Sequence, residues 1–453
     1  MFSDGEVSDI DLIKNYPKKA INKLSTPIII SMLLITFNSL IDSIWISGLG
    51  PEVLAAIGFV SPLIMIISSL GNGLGIGANS IISRFIGEGT DDKIVNASVH
   101  SIILTICFSI VLSLILLPFI KNILMFFGAG EVIDYAISYA WIIFAGIIFE
   151  FVSIVLAAII RSEGAIYKSM GPLIGATIIN MIIDPILIYF LNLGIRGAAL
   201  ATVVSSALSI IPLAYWIFIK KDTFAKVDFS KYHRNFAIYK DILTVGIPSS
   251  LETICICIVT IFINSLLSSI GGIIAVGGYG VALRILSVLI TPIFGIGVAN
   301  ITVVGMAFGE KNKANISKSF NYSTKMTLKI AIVTCSFILI FAPYLAELFA
   351  YGESSQNINE YITHILYILG FSVFTVPLRA IVINVLQAMG KGITSMCLTF
   401  IKESMFYMFS FIFAFYLGLG PDGIYYGMLT GGMLGSLIEF SYVWYYIRKL
   451  SFN

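Results

Sequence analysis

Two carboxylates stand in strongly apolar stretches of the first half of the chain, and each has an amide four residues before it. Asp42 follows Asn38, and Asp184 follows Asn180. Residues four apart share one face of a helix, so each pair projects an amide and a carboxylate to the same side. Carboxylate and amide oxygens are hard ligands that suit hard cations. Asp42, Asp184 and Asn180 therefore predict a cation site.

Pro185 adds to this chemistry because it follows Asp184 directly. Proline has no N–H, so the carbonyl of Met181 loses its helical partner and becomes a further oxygen ligand. The same carboxylates have another possible use, since burial and a neighbouring carboxylate both favour a bound proton. A purely structural alternative is that these polar groups hold helices together by hydrogen bonds.

Other ionisable residues also fall in apolar stretches, where a charge is costly and usually functional. They are Glu150, Glu252, Arg284, Arg379, Lys402, Glu403 and Glu439. Those of the second half carry both signs, which is typical of internal pairing with a mainly structural role. Their individual roles stay open. The asymmetry between the halves predicts that a coupling ion binds in the first half.

The elements that must position these groups follow from composition. Of the 453 residues, 58% are hydrophobic and only 11% are charged. A soluble protein needs a charged surface, so soluble enzymes, disordered chains and disulfide scaffolds are excluded. The apolar runs predict an all-α membrane protein with about 12 spans. The predicted spans are 27–49, 53–83, 95–118, 134–160, 169–191, 197–219, 242–270, 275–308, 319–342, 359–388, 394–417 and 422–447.

Lysine and arginine predict the orientation of these spans. Nearly all of them fall on one side of the membrane, and the other side has only Lys121 and Arg196. Because cytoplasmic loops carry the excess of positive charge, both termini are predicted to be cytoplasmic. Together with an Ile-, Lys- and Asn-rich composition, this predicts a multi-pass protein of a prokaryotic plasma membrane.

An internal repeat divides the chain. Gly73 and Gly75 align with Gly295 and Gly297 at an offset of 222, and later residues such as Gly164 and Gly390 align at 226. The predicted domains are a first six-helix bundle at 1–219, a cytoplasmic linker at 220–241 and a second bundle at 242–453. Six spans in each half make the repeats parallel, an arrangement that suits a transporter working by alternating access.

Motifs of energy-coupled or catalytic proteins are missing from the sequence. Gly390-Lys391 fails the phosphate-loop pattern, and no zinc-protease or serine-nucleophile motif occurs. We therefore predict neither an enzyme nor a bound cofactor, and no transport driven by ATP hydrolysis in this chain. A net charge of +2 gives no indication of nucleic-acid binding.

The order of several short strings resembles the multidrug and toxic compound extrusion family over residues 15–450. They are Asn38-Ser-Leu-Ile-Asp42, Gly75-Ile-Gly77 through Arg84-Phe-Ile-Gly87, Arg161-Ser-Glu-Gly164, Asn180 to Pro185, Leu193-Gly-Ile-Arg-Gly-Ala198 and Ala282-Leu-Arg284. Each string is weak alone, but their spacing and duplication are typical of this family.

The resemblance implies two six-helix bundles forming a V, and export of bulky amphipathic or cationic compounds in exchange for Na⁺ or H⁺. It implies that Asp42, Asn180, Asp184 and Thr202 form the cation site, and that the substrate contacts Asp42, Tyr139, Asn180 and Asp184. Pro27 and Pro185 would serve conformational change. The expected partners are a small organic molecule and the lipid bilayer, with no nucleic acid and a monomeric protein. Two alternatives are a lipid-linked oligosaccharide flippase of the same superfamily and a membrane-embedded enzyme.

Overall fold

The computed structural model describes residues 8–349 and 356–452, which are helical with no strand among them. The helices of the first half are α1 (Asp9–Asn15), α2 (Pro17–Ser47), α3 (Pro51–Glu88), α4 (Asp91–Phe126), α5 (Ile133–Ala145), α6 (Ile147–Ser162), α7 (Ile166–Pro185) and α8 (Ile195–Ala214). Those of the second half are α9 (Phe236–Gly309, which a break at Gly272 divides into two helical segments), α10 (Lys313–Phe349), α11 (Gln356–Leu369), α12 (Thr375–Ala388), α13 (Gly392–Phe411) and α14 (Gly420–Lys449).

The predicted membrane class is confirmed. Ten helices among the described residues are long and apolar enough to cross a bilayer, and a bent pair, α5 with α6, makes an eleventh span. The helix α14 covers the twelfth predicted span, 422–447, although its composition is more polar than that of the other eleven. The protein is thus an all-α, multi-pass membrane protein with about twelve spans.

Three predicted segments differ from the helices that contain them. The first predicted span, 27–49, belongs to a helix that already begins at Pro17, and α9 begins at Phe236, inside the segment 220–241 that is predicted as a linker. The predicted span 134–160 is bent by 42° between Ala145 and Ile147. Apolar runs mark only the part of a helix that lies in lipid, so polar helix ends are missed.

Contacts divide the chain into two compact units. Of the described residues, the first unit contains 8–16 and 30–250, and the second contains 17–29, 251–349 and 356–452. The helix α2 is therefore shared between the units at a point just after Pro27, and α9 is shared just after Pro248. Within the first unit, the hydroxyl of Ser250 on α9 donates to the carbonyl of Ser69 on α3 at 2.9 Å.

The internal repeat is visible in the local geometry of the helices. The helix α7 ends in a π-helical turn, Ile186–Phe190, and α13 ends in an equivalent turn, Ile412–Tyr416. The first residues of α8 and α14 pack against these turns. A Cβ placed on Gly197 would lie 2.7 Å from the carbonyl oxygen of Leu187, and one on Gly423 would lie 2.6 Å from that of Phe413.

A glycine ladder on α14 brings that helix against the backbone of α13. We use this name for Gly423, Gly427, Gly431 and Gly435, which recur every fourth residue on one helix face. A Cβ on Gly431 would lie 2.5 Å from the carbonyl oxygen of Met405, and one on Gly435 would lie 2.6 Å from Cγ of Lys402. Small residues permit such close helix contact in membranes, and here they hold α13 and α14 together.

Candidate functional site

A small cavity in the first unit contains four of the residues that the sequence predicts for a functional site. Asp42 on α2, Tyr139 on α5, Asp184 on α7 and Thr202 on α8 all line it. The remaining lining residues are Ile46, Ile188 and Ala198, each one helical turn from Asp42, Asp184 or Thr202. Four separate helices thus each contribute one of these side chains to the same cavity.

The carboxyl groups of Asp42 and Asp184 are direct neighbours in this cavity. Asp184 is almost fully buried, with 2% of its surface exposed. The buried atoms Oδ1 of Asp42 and Oδ2 of Asp184 have no hydrogen-bond donor among the described residues. Two adjacent carboxyl groups cannot both carry a charge without a proton or a cation between them. The pair is thus a candidate site for a proton or a cation.

Asn38 links the two amide–carboxylate pairs. Its Nδ2 donates to Oδ2 of Asp42 at 2.9 Å and to Oδ1 of Asn180 at 2.8 Å. The sequence prediction placed Asn38 on the face of Asp42 but did not include it among the site residues. The signal was present, because Asn38–Asp42 repeats the spacing of Asn180–Asp184. Asn180 is itself buried and contacts this network rather than lining the cavity.

The cavity is about the size that a single water molecule or a dehydrated ion requires. Its polar lining consists of two carboxyl groups, the Tyr139 hydroxyl and the Thr202 hydroxyl, all oxygen donors. Among the described residues, no three acidic, histidine or cysteine side chains gather to hold a metal ion. The donor set thus fits a proton or a monovalent hard cation better than a tightly held divalent metal.

The other predicted residues of the first half lie apart from this cavity. Pro27 belongs to the part of α2 that packs in the second unit. Pro185 ends α7 and precedes the π-helical turn, next to Asp184. Glu150 on α6 accepts a hydrogen bond from the Ser68 hydroxyl on α3 at 2.7 Å, one turn after the bend that separates α5 from α6.

In the second half, the predicted pairing of opposite charges is found for Glu403. Its Oε1 lies 3.1 Å from Nη1 of Arg379 and 2.9 Å from Nζ of Lys402. Glu252 pairs with a neutral group instead, since Nε2 of Gln387 donates to its Oε2 at 3.1 Å. Arg284 is exposed.

Outside the membrane-spanning helices, the linker is attached to the first unit by two charged groups. The hydrogen bond from Lys168, followed by one from Lys220, lowers the pKa of Asp222. The backbone N–H of Ala225 donates to Oε2 of Glu163 at 2.8 Å, while burial of that carboxyl raises its pKa to about 7. These contacts fix the start of the linker against the ends of α6 and α7.

Comparison with known proteins agrees with this architecture. The sequence model of the MatE family matches residues 27–186 and 248–412, one segment in each half of the chain. The chain belongs to the MatE family. The two matched segments of the MatE family begin at Pro27 and Pro248, the prolines near which α2 and α9 are shared between units.

Relatives within the MatE family cover almost the whole chain. The multidrug export protein MepA of Staphylococcus aureus is 26% identical over 422 residues, which is 92% of each protein. A solved structure of a multidrug resistance MATE family transporter of the MOP superfamily, in an outward-facing conformation, is 34% identical. It covers 99% of this chain and 100% of its own, with a TM-score of 0.95. A structure of MATE in complex with MaL6 is 35% identical, covers 98% and 99%, and also has a TM-score of 0.95.

Proposed function

We propose that this protein is a secondary antiporter that exports bulky amphipathic or cationic organic compounds in exchange for Na⁺ or H⁺. The observation that carries the proposal is the adjacent pair of Asp42 and Asp184, whose carboxyl groups share a small cavity with no basic residue among its lining. The names of the relatives, a multidrug export protein and a multidrug resistance transporter, support the same substrate class.

Coupling follows from the chemistry of the pair. A proton or Na⁺ at Asp42 and Asp184 removes negative charge, so a cationic substrate near these residues binds less well once the ion has arrived. Only this difference in affinity between states can couple two fluxes, because equally tight binding in both states would shift nothing. Asn180 and Thr202 would complete the ion site, and Tyr139 would contact the substrate with its ring.

The wider arrangement belongs to the same proposal. Both termini face the cytoplasm of a prokaryotic cell, since Lys and Arg are concentrated on that side of the spans. The two six-helix halves, 1–219 and 242–453 with the linker 220–241 between them, move against each other in alternating access. The protein acts as a monomer in the lipid bilayer and has no catalytic role, no cofactor and no nucleic-acid partner.

Transport in proteoliposomes under separately imposed Na⁺ and H⁺ gradients tests the proposal, with a cationic dye as substrate. We expect one of the two gradients to drive dye transport in the wild type. Asp184→Asn and Asp42→Asn each keep the size of the side chain but remove the ionisable group, so each should reduce gradient-driven transport at least about tenfold.

Asp134→Asn is the matched control, because Asp134 lies exposed in the first turn of α5, away from the cavity lining. It should transport like the wild type. Undiminished gradient-driven transport by both cavity variants would contradict the proposed ion site. Absence of dye transport under either gradient, in protein that is shown to be folded, would contradict the proposed antiport.

A further inference from the structure

A second group of charged residues, four of them buried and the fifth partly buried, lies in the second unit on four helices. It consists of Glu252 on α9, Arg379 on α12, Lys402 and Glu403 on α13, and Glu439 on α14. Glu252, Lys402, Glu403 and Glu439 are between 1% and 7% exposed, so water does not screen them. Three acids face two bases here, and one negative charge is therefore left over when every group is ionised.

The bonding pattern shows where the surplus lies. Both bases direct their donors at a single atom, Oε1 of Glu403, with Nη1 of Arg379 at 3.1 Å and Nζ of Lys402 at 2.9 Å. Glu252 receives a donor from the amide of Gln387. The positive charge of the group is thus concentrated on one of the three carboxyl groups.

Glu439 receives no hydrogen bond from any of these donors. Its side chain is 1% exposed, and neither Oε1 nor Oε2 has a hydrogen-bond partner among the described residues. The hydroxyls of Ser436, three residues earlier on α14, and Thr399, four residues before Glu403 on α13, are buried without partners as well. A buried carboxylate without donors is strongly unfavourable, whereas a protonated carboxyl group is tolerated and can itself donate to a hydroxyl.

We propose that Glu439 is a proton-binding site of the second unit, separate from the pair of Asp42 and Asp184. The ligand is a proton rather than Na⁺, because the charged groups that act on Glu439 include Arg379 and Lys402, which repel a metal cation. The other charged groups around it are Glu403 and Glu252. All of these groups come from helices that contribute to the cluster.

Binding and release of this proton would change the pairing within the group. Without the proton, Glu439 competes with Glu403 for Lys402 and Arg379, and the bases must divide between α13 and α14. With the proton, both bases stay on Glu403, as observed. The inference goes beyond the antiport proposal, since it assigns a proton to the unit that contains no part of the Asp42–Asp184 cavity.

Infrared spectroscopy of the purified full-length protein tests the site without any transport measurement. At neutral pH, Glu439→Gln should remove one protonated-carboxyl C=O band that the wild type shows. Glu347→Gln is the matched control, because Glu347 is exposed and its loss should remove only a carboxylate signal. Loss of only a carboxylate signal in Glu439→Gln would overturn the proposal. Disappearance of the wild-type band on addition of Na⁺ at constant pH would also overturn it, since the ligand would then be sodium.

Thermal unfolding at several pH values provides a second, independent measurement. A carboxyl group that is protonated in the fold and ionised in the unfolded chain makes stability fall as pH rises. Glu439→Gln is uncharged at every pH, so it should fold and should show a smaller fall of Tm than the wild type as the pH rises from about 4.3, where glutamate ionises in the unfolded chain, to neutral. An unchanged slope would contradict the proposal. Both readouts are independent of transport, so their failure would leave the Asp42–Asp184 proposal standing.

Discussion

The buried carboxylates of the two units have different partners, although the sequences of the two halves are repeats of each other. In the first unit, Asp42 and Asp184 meet in a cavity whose lining contains no basic residue. In the second unit, Arg379 and Lys402 neutralise Glu403 directly. The position equivalent to Asp184 is Ser410, so the acidic pair of the first unit has no counterpart there.

Helix packing differs between the units in a matching way. The residues equivalent to the glycine ladder are Gly197, Ala201, Ser205 and Ser209 on α8, all small but only one of them glycine. The hydroxyl of Ser209 forms a 2.6 Å hydrogen bond with that of Ser153 on α6. The second unit instead brings backbone against backbone. We therefore expect α13 and α14 to tolerate less change at their contact than α7 and α8.

The largest expected effect comes from removing the carboxylate that both bases share. Glu403→Gln removes the only carboxylate that Lys402 and Arg379 contact among the described residues, and breaking a buried pair in this way costs about 3–5 kcal/mol. Asp184→Asn, in contrast, leaves no base unpaired and should keep or raise the free energy of unfolding. Equilibrium unfolding in detergent compares the two variants. Equal destabilisation by both would remove the distinction between the units.

A smaller effect is expected at the glycine ladder. In Gly431→Ala the new Cβ would lie 2.5 Å from the carbonyl oxygen of Met405, so α13 and α14 must separate, at a cost of about 1–3 kcal/mol. Gly432→Ala is the control, because its nearest contact is 3.5 Å from Phe406. Thermal unfolding of the two variants should show a lower Tm for Gly431→Ala alone. Similar Tm values would mean that backbone contact does not limit this helix pair.

The smallest expected effect concerns the linker contact of the first unit. Burial raises the pKa of Glu163 from 4.5 to about 7, so folding binds a proton between these values. The contribution of this group to stability is complete below pH 4.5 and is lost as pH rises through about 7. Glu163→Gln should flatten that part of the Tm profile, while Glu52→Gln, at an exposed position, should not. A wild-type profile in Glu163→Gln would contradict the buried state of this carboxyl group.

Most of the helical architecture follows from local signals in the sequence, whereas Tyr139 and Thr202 of the cavity were predicted only through the family resemblance. Apolar runs predict spans, and the spacing of Asn180 and Asp184 predicts a shared face. The bend between α5 and α6 and the polar first turns of α2 were missed, because hydropathy reports the lipid environment and not the backbone. Glu439 could not be ranked above Glu150 from sequence, since both are single carboxylates in apolar runs. Only the positions of their partners distinguish them, with Ser68 beside Glu150 and no donor beside Glu439.

The glycine ladder has a consequence for how the second unit can respond to a change of charge. Gly435 has no side chain, and the aliphatic stem of Lys402 on α13 occupies the space that a side chain would take. A Cβ on Gly435 would lie 2.6 Å from Cγ of Lys402. The lysine is therefore held along its length and has little freedom to change rotamer. If its ammonium group is to leave Glu403, α13 must rotate or slide along α14. The glycine face of α14 has no side chains that would block such sliding. A change of charge at Glu403 would therefore shift α13 relative to α14.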